Sequence, residues 1–309
     1  MSTRGRAWHA GAWMTALALP TMLPAQPAPR ADIAIDDTRV HPESITSTRD
    51  GAVYIGSFGK GAVYRAAPGA SVAETWLPAG VAGPALLGVL ADDRRGLLWV
   101  CVPSREAVPS AIKAFDLRTG AERASYGFEG GGRCNDMAVA RDGTVYASDF
   151  EQGRLMRLKK GDTLFRPWAL NPGFKTADGV AVLADGQVYL NTFRENGLWR
   201  IPVLRGGAAG TPVQIQTDRP LVRPDGMRPA DRGRALLLVE GEGRLVEVRP
   251  QGDRATVRVL REGIPDSAAG VTLVGDTAFL VQAKFALLRD PAKDPGPFSA
   301  LAIPYAPSR

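Results

Sequence analysis

The stretch CNDMAVARDGTVYASDF (residues 134–150) is followed, 43 residues later, by ADGVAVLADGQVYLNTF (177–193). In both segments a polar residue opens a short apolar run, an Asp-Gly pair follows, and a strand rich in Val and Tyr comes next. Four further segments repeat this pattern with more variation: PESITSTRDGAVYIGSF (42–58), ALLGVLADDRRGLLWVCV (85–102), PDGMRPADRGRALLLVEG (224–241) and AAGVTLVGDTAFLVQ (268–282). The chain therefore contains six copies of one unit.

The spacing of these copies predicts the architecture. Equivalent residues near the start of successive units lie 45, 47, 43, 47 and 41 positions apart; they are Glu43, Gly88, Asn135, Asp178, Asp225 and Asp266. A period near 45 is typical of four-stranded units that cannot bury their faces alone. Closing six of them into a ring removes most of the exposed sheet edge. The sequence thus predicts an all-β fold, a six-bladed β-propeller with four-stranded antiparallel blades.

Several local signals support this prediction. Asp50-Gly51, Asp142-Gly143 and Asp185-Gly186 each separate an apolar run from a strand, and Asp-Gly is a strong hairpin signal because both positions tolerate positive φ. These aspartates are predicted to be structural. SVAETWLP (71–78) is expected to be an outer strand. FSALAIPY (298–305) is expected to close the ring, completing the last blade or pairing with residues 31–37.

The first 25 residues differ from the rest of the chain. Arg4 and Arg6 precede an apolar stretch that contains Trp13 and Leu17 and is broken by Pro20. This order is typical of a secretory signal peptide, and the apolar part is too short to span a bilayer. We therefore expect cleavage near Ala25, a periplasmic or secreted protein without a membrane span, and a single propeller domain over residues 26–309.

Composition and charge exclude some partners. The net charge is +6, or +4 without Arg4 and Arg6, and no run of five basic residues occurs. Nucleic acid is therefore not an expected partner, and we expect a monomer. Cys101 and Cys134 are the only cysteines. They could form a disulfide in an oxidising compartment, but two buried thiols are the favoured interpretation because bridge geometry is demanding.

Acidic and amide side chains recur at one phase of the repeat. Glu43, Asp178 and Asp225 lie at the start of the first strand of their units, as do Asn135 and Asp136. First strands line the channel of a propeller, so these side chains are expected to converge near one mouth of it. Several converging carboxylates raise one another's pKa unless a cation intervenes. The sequence predicts a divalent ion held by Glu43, Asn135, Asp178 and Asp225, with Ca²⁺ favoured over Mg²⁺ or Mn²⁺.

The repeats resemble the senescence marker protein/gluconolactonase/regucalcin family of six-bladed propellers over residues 38–305, which includes metal-dependent sugar-lactone hydrolases. Pro42-Glu43 resembles the family's Pro-Glu opening, whose Glu is a metal ligand. Arg133-Cys134-Asn135-Asp136 resembles an Arg-x-Asn-Asp segment in which Arg and Asn contact substrate. Pro224-Asp225-Gly226-Met227 matches the family's Pro-Asp-Gly-Met, whose Asp is a ligand and the proposed general base.

One departure bears on specificity. Asp178-Gly179-Val180 stands where the family has Asn-Gly-Leu, whose Asn is a metal ligand. The additional negative charge should hold a cation more tightly and lower its Lewis acidity, so sugar lactones need not be the substrate. Fold alone does not choose among lactonases, esterases and other propellers.

Three other polar residues have open roles. His41, the single histidine after residue 25, is interpreted as a partly exposed residue at a strand entrance, with a base beside the metal as the alternative. Arg133 either contacts substrate through its planar fork or neutralises Asp136 or another nearby acid. Glu240 and Lys284 lie late in their units, where the sequence leaves their orientation undetermined.

Two functions remain in competition at this point. The first is a divalent-metal-dependent hydrolase of lactones or related esters, in which Asp225 or another carboxylate accepts the proton of the attacking water. Arg133 and Asn135 would orient the substrate. The alternative is a non-catalytic propeller that binds a small ligand or a protein partner and uses the ion structurally.

Overall fold

The computed structural model describes residues 30–104, 109–265, 267–290 and 292–308. The predicted signal peptide (1–25) and Asp266 lie outside the described residues. Within them the regular structure is almost entirely strand, with three short 3-10 turns at Pro172–Phe174, Arg205–Gly207 and Asp231–Gly233 and one α-helical turn, α1 (Phe285–Leu288). No described helix has the length and apolar character needed to cross a membrane.

The strands follow one another at short intervals along the chain. In the first half they are β1 (Ile33–Ile35), β2 (Pro42–Ser47), β3 (Val53–Ser57), β4 (Val63–Ala66), β5 (Val72–Leu77), β6 (Val89–Asp92), β7 (Leu97–Val102), β8 (Ala111–Asp116), β9 (Glu122–Gly127), β10 (Cys134–Val139), β11 (Val145–Asp149), β12 (Arg154–Leu158) and β13 (Arg166–Leu170). In the second half they are β14 (Ala177–Val182), β15 (Val188–Thr192), β16 (Gly197–Ile201), β17 (Val213–Gln214), β18 (Gln216–Thr217), β19 (Pro224–Ala230), β20 (Ala235–Glu240), β21 (Arg244–Gln251), β22 (Arg254–Arg261), β23 (Ala268–Val274), β24 (Thr277–Gln282) and β25 (Phe298–Pro304).

These strands form antiparallel sheets of four. Three sheets have the orders β6-β7-β8-β9, β10-β11-β12-β13 and β14-β15-β16-β17. A fourth consists of β19-β20-β21-β22 with the short β18 added in parallel to β22. The predicted all-β class and four-stranded antiparallel sheets are confirmed.

The remaining eight strands form one sheet in the order β2-β3-β4-β5-β1-β25-β24-β23. Strand β1 pairs antiparallel with β25 and parallel with β5, so it links the beginning and end of the chain. β25 also pairs with β24. The 298–305 segment therefore meets both expectations, since it extends the last strands and pairs with the N-terminal segment.

Six strands, called here the inner strands, contact one another in a cycle. They are β2, β6, β10, β14, β19 and β23, each the first strand of its repeat; each contacts the next, and β23 contacts β2. The hydrophobic core lies between neighbouring sheets. For example, Tyr189 and Leu198 of one sheet pack in the same cluster as Leu236 and Leu238 of the next. Every sheet thus depends on its neighbours for burial.

The Asp-Gly turns have the predicted structural role. The Asp142 carboxylate accepts the N–H of Thr144 at 2.9 Å, and the Asp185 carboxylate accepts that of Gln187 at 3.0 Å. Gly143 and Gly186 have φ of 90° and 77°, a region that glycine enters without steric cost. These aspartates close hairpins far from the acidic residues described next.

Candidate functional site

The candidate site residues lie at irregularities of the inner strands. Pairing with the adjacent strand shifts register between Pro42 and Ser44 in β2, and in the corresponding parts of β10, β14, β19 and β23. The residues inside the first four shifts are Glu43, Asn135, Asp136, Asp178, Gly179, Asp225 and Gly226. A bulge breaks the strict alternation of side chains and re-aims the extra residue. The bulges therefore turn these polar groups away from the two faces of their sheets.

The re-aimed side chains meet at one cavity. Glu43, Asn135, Asp178 and Asp225, the four predicted metal ligands, all line a cavity of about 800 Å³, and Arg133 lines it as well. β6 contributes no polar side chain here, because the equivalent position is Gly88, where a Cβ would lie 2.6 Å from the Asn135 carbonyl oxygen. The structure thus brings together every residue singled out for the site, while their roles remain predictions.

Burial and mutual repulsion shift the pKa values of three carboxyl groups. The pKa of Glu43 is raised well above its usual value by burial and then by the charges of Asp225 and Asp136, against the lowering effect of Arg228 and Arg133. The pKa of Asp178 is raised by burial and by the other carboxylates. Burial raises the pKa of Asp225 to about 7, although the Gly226 N–H opposes the shift. Such clustered shifts are typical of functional sites.

Asn135 and Asp178 contact each other directly. The Asn135 amide nitrogen donates to Asp178 Oδ2 at 2.9 Å. This bond favours the ionised form of Asp178 and lowers its pKa, against the larger effect of burial. The buried carboxylate of Asp178 is therefore partly satisfied by its neighbour Asn135.

Arg133 does not neutralise Asp136. Its backbone N–H donates to Asp149 Oδ1 at 2.9 Å, and its guanidinium carbon lies 5.7 Å from the centre of the Phe150 ring. Its Nε is buried without a hydrogen-bond partner. The structure shows no ion pair between Arg133 and Asp136; the charge of Arg133 instead lowers the pKa of another nearby acid, Glu43. A contact with substrate stays a prediction.

The partner of Asp136 is Arg228, which the sequence analysis missed. Arg228 Nη1 and Nη2 donate to the two carboxylate oxygens of Asp136 at 2.6 and 3.1 Å, and Nη2 also donates to the Val89 carbonyl at 3.0 Å. Both side chains are buried. Arg228 lines a very small cavity beside the acids. On its other side it lines a separate cavity of about 280 Å³ that does not include these acids. It therefore separates the site from the opposite end of the ring of inner strands.

The donor set matches the chemistry of a hard divalent cation. Carboxylate and amide oxygens suit Ca²⁺, Mg²⁺ or Mn²⁺, and burial together with neighbouring carboxylates raises the pKa of Glu43 and of Asp178, which a bound cation would oppose. Among the described residues no three His, Cys, Asp or Glu side chains form a preassembled metal site. The residues fit such an ion by type and charge, and they would have to close around it.

Two interpretations of the sequence were wrong. Cys101 and Cys134 form a disulfide with a Cα–Cα distance of 5.9 Å, because β7 and β10 face each other across neighbouring sheets. His41 is fully buried rather than partly exposed: its Nδ1 is hydrogen-bonded to the Ala283 carbonyl at 2.9 Å, and its ring packs edge-on against Phe298. His41 does not line the site cavity, so it supports the chain around Glu43 rather than acting as a base there.

The two residues of undetermined orientation also lie outside the site. Glu240 is fully buried and pairs with Arg219 and Arg244. Lys284 Nζ donates to the carbonyl oxygens of Pro295 and Pro297 at 2.8 and 3.0 Å. Both stabilise loops next to the cavity, and neither side chain lines it.

No protein-family model and no curated protein matches this sequence. Solved structures do resemble it. The major allergen Mala s 1 of Malassezia sympodialis has a TM-score of 0.71 at 13% identity, over 90% of this chain and 96% of that one. A gluconolactonase from Xanthomonas campestris has a TM-score of 0.63 at 17% identity, over 89% and 88%. A putative gluconolactonase has a TM-score of 0.60 at 15% identity, over 91% and 96%.

These likenesses show the fold and nothing further. The chain is a β-propeller of the architecture found in gluconolactonase structures, so the resemblance predicted from its sequence is confirmed at the level of the fold. The activity has to be argued from the site.

Proposed function

We propose that this protein is a six-bladed propeller that hydrolyses lactones or related esters with the help of a divalent metal ion. The observation that carries the proposal is the convergence of four oxygen-donor side chains from four bulged inner strands on one cavity beside Arg133.

The cyclic contacts of the six inner strands support a blade count of six. In this interpretation the eight-stranded sheet consists of two blades. The first is β2-β3-β4-β5, the last is β23-β24-β25-β1, and they meet where β1 pairs with β5. Joining the first and last blades through the termini closes a ring and removes its free edges. Residues 26–309 would form this one domain.

Glu43, Asn135, Asp178 and Asp225 would hold the ion, with Ca²⁺ favoured. When bound, the ion would act as a Lewis acid that polarises the ester carbonyl. As the general base, Asp225 would accept a proton from water. Burial raises the pKa of its carboxyl to about 7 without metal, and a bound cation would lower that pKa. The water oxygen forms a bond to the carbonyl carbon, the C–O bond of the ring breaks, and the proton passes to the released alkoxide. The product is the open hydroxy acid.

Arg133 and Asn135 would position the substrate. The Arg133 backbone is held by Asp149, and its guanidinium stacks beside Phe150 at the cavity wall. Asn135 is oriented by its bond to Asp178. Both groups are fixed before substrate arrives, which lowers the entropic cost of binding in a productive orientation.

The test is hydrolysis of a lactone panel in a pH-stat. The protein is assayed after EDTA treatment and after addition of Ca²⁺, Mg²⁺ or Mn²⁺, next to the Asp225→Ala variant. We expect turnover that returns with metal and is absent from the variant. Normal turnover by Asp225→Ala would show that the site is misassigned. No turnover of any lactone with any metal would favour the alternative, a non-catalytic propeller that binds a small ligand or a protein partner.

We also propose that the protein is exported to the periplasm or secreted and acts as a monomer. The disulfide between Cys101 and Cys134 supports export, because such bridges persist in oxidising compartments. N-terminal sequencing of the mature protein and light scattering test these two points. Met1 at the mature N-terminus, or a dimer mass, would contradict them.

A further inference from the structure

The rim of the site cavity combines two kinds of side chain that a small neutral sugar lactone does not require. Four arginines line the cavity, and four phenylalanines line it with them; they are Arg133, Arg194, Arg223, Arg289, Phe58, Phe150, Phe193 and Phe285. Arg133 and Arg223 directly precede inner strands, and the others follow the second strands of their sheets or lie in or after α1, whereas the carboxylates come from the inner strands themselves. The cavity therefore has acids at its base and a cationic, aromatic rim.

The rim arginines act on the acids of the cavity without forming ion pairs with them: Arg133 opposes the rise in the pKa of Glu43, and Arg223 opposes that of Asp225. No ion pair in the described part of the chain involves any of the four. Of the four, Arg133 is half-buried and the other three are exposed, whereas the buried Arg154 and Arg228 are paired with Asp149 and Asp136. An excess of unpaired cations around one opening attracts anions and raises their local concentration.

Two of these arginines are held against aromatic rings. The Arg223 guanidinium carbon lies 4.9 Å from the Phe193 ring centre, and that of Arg133 lies 5.7 Å from the Phe150 ring centre. Stacking fixes the plane of the guanidinium and leaves its edge N–H groups free to donate to a planar carboxylate. The two guanidinium groups are thus preorganised to form bidentate hydrogen bonds with a carboxylate.

The backbone beneath these side chains is also held in place. The N–H of Arg223 donates to Asn196 Oδ1 at 2.7 Å, and the N–H of Arg194 donates to Thr176 Oγ1 at 3.0 Å. Arg223 has φ of 50°, which costs a non-glycine residue free energy and persists only where surrounding contacts enforce it. His41, Thr176 and Ser267 have the same conformation directly before their inner strands, so the positive φ is a feature of the repeat that sets the entry into these strands.

The size and walls of the cavity favour a substrate larger than a single sugar ring. Its volume of about 800 Å³ is in the range of pockets that hold drug-sized ligands. A second cavity of about 900 Å³ adjoins it, sharing Arg133, Phe150 and Arg194 as lining residues. Phe58 and Phe285 pack edge to face at 5.6 Å and form an apolar wall. This wall suits a flat apolar body better than a ring of hydroxyl groups.

We propose that the substrate of this site is an anionic lactone or ester with an aromatic body, whose carboxylate is bound by the rim arginines while its ester group faces the acidic base. This inference rests on the proposed hydrolase function, and it specifies the substrate class. Neutral sugar lactones would bind weakly, because they provide neither the charge for the arginines nor the flat surface for the phenylalanines.

The first experiment measures binding without turnover. Calorimetry compares 2-naphthoate with its neutral isostere 2-naphthamide on the EDTA-treated protein, at two salt concentrations. We expect naphthoate to bind at least about tenfold more tightly than naphthamide. Only the affinity for naphthoate should fall as the salt concentration rises. The ratio of the affinity for naphthoate to that for naphthamide is called the preference. Arg223→Gln and Arg289→Gln should each lower this preference by about two- to fivefold, as expected for exposed charge pairs.

Arg65→Gln is the matched control. Arg65 also stacks on an aromatic ring, at 5.7 Å from the centre of Tyr54, but it does not line the cavity. We expect it to leave the preference unchanged. Equal affinities for the two ligands would overturn the proposal. So would a preference that survives in the Arg223→Gln/Arg289→Gln double variant.

The second experiment separates this inference from the proposed function. Hydrolysis of 6-acetoxy-2-naphthoate and 6-acetoxy-2-naphthamide is followed with added Ca²⁺, and a higher kcat/KM for the anionic ester is expected. Metal-dependent hydrolysis of both esters at equal kcat/KM would overturn the substrate class and leave the hydrolase proposal intact. Arginine-dependent naphthoate binding without hydrolysis of either ester would support the anionic rim and contradict the hydrolase.

Discussion

The same dipeptide performs two different tasks in this molecule. At the hairpins, Asp185 accepts a backbone N–H and Gly186 adopts φ of 77° with no atom within 4 Å of an added Cβ. At the bulge of β19, Asp225 points into the cavity, and a Cβ on Gly226 would lie 2.5 Å from the Ala269 carbonyl oxygen. Gly186 is needed because the hairpin backbone has a positive φ there, whereas Gly226 is needed because the neighbouring strand β23 lies too close for a Cβ atom.

The comparison extends to charge. The hairpin carboxylate of Asp50 has a pKa lowered by hydrogen bonds from the Thr48 hydroxyl and the Ala52 N–H. The bulge carboxylates have raised pKa values, chiefly because they are buried beside one another. The ionised form of an aspartate in a turn is thus stabilised by hydrogen bonds from its own segment. The pKa of an aspartate in a bulge depends instead on burial and on charged side chains from other strands.

The largest difference is expected in catalysis. Asp225→Asn keeps the size of the side chain and removes its charge, so hydrolysis should fall by about 10²- to 10⁴-fold, the usual contribution of a general base. Asp185→Asn should leave activity unchanged, because an amide oxygen can still accept the Gln187 N–H. Steady-state kinetics of the two variants check this, and equal losses in both would remove the distinction between the two positions.

The bulge of β10 is anchored by a covalent bond that no hairpin has. The disulfide from Cys134 to Cys101 closes a loop with a sequence separation of 33. Cys101→Ala/Cys134→Ala should lower the free energy of unfolding by about 3–4 kcal/mol, through the greater entropy of the unfolded chain. Urea denaturation measures this change. Wild-type protein treated with a reductant serves as the comparison, and unchanged midpoints in both would contradict the bridge.

The two kinds of glycine should respond differently to Ala. Gly226→Ala should cost about 2–3 kcal/mol of stability and also reduce activity, because β19 and β23 must move apart at the site. Gly186→Ala should cost about 1 kcal/mol through its positive φ and leave activity intact. Thermal denaturation and the lactone assay test both variants. Retained activity in folded Gly226→Ala would indicate that close strand approach is dispensable.

The last comparison concerns the dependence of stability on pH, where the two kinds of acid should act in opposite directions. Asp225 has an ordinary pKa of 3.8 and a folded-state pKa of about 7, so the folded protein binds a proton that the unfolded chain has lost. Without metal, the stabilisation is complete below about pH 4 and lost as the pH rises to about 7. Asp50, with its lowered pKa, stabilises the fold above pH 3.8 and ceases to do so as the pH falls further.

Urea denaturation in EDTA at pH 5 and pH 8 measures the first of these effects. Asp225→Asn should reduce the dependence on pH, and added Ca²⁺ should stabilise the wild-type protein more at pH 8, where protons compete less for the carboxylates. Equal pH dependence in wild type and variant would show that Asp225 does not titrate in this window.

The site was predictable in part because its residues repeat. Glu43, Asn135, Asp178 and Asp225 recur at one phase of a period near 45, and equivalent positions of a cyclic fold face one axis. Arg228 was not predictable in this way. It lies 92 positions from Asp136 and has no counterpart at that phase, so only the approach of β19 to β10 across the ring makes the pair visible.

Sequence alone determined the repeated strands, the Asp-Gly hairpins and the closing role of residues 298–305. These features depend on alternation and turn chemistry, which are local properties of the chain. The tertiary structure decided the bulges that re-aim the acids, the disulfide, the burial of His41, the Asp136–Arg228 pair and the cationic rim. The bulges depend on the register between adjacent strands of one sheet, and the other features depend on how more distant strands and neighbouring sheets pack rather than on any single segment.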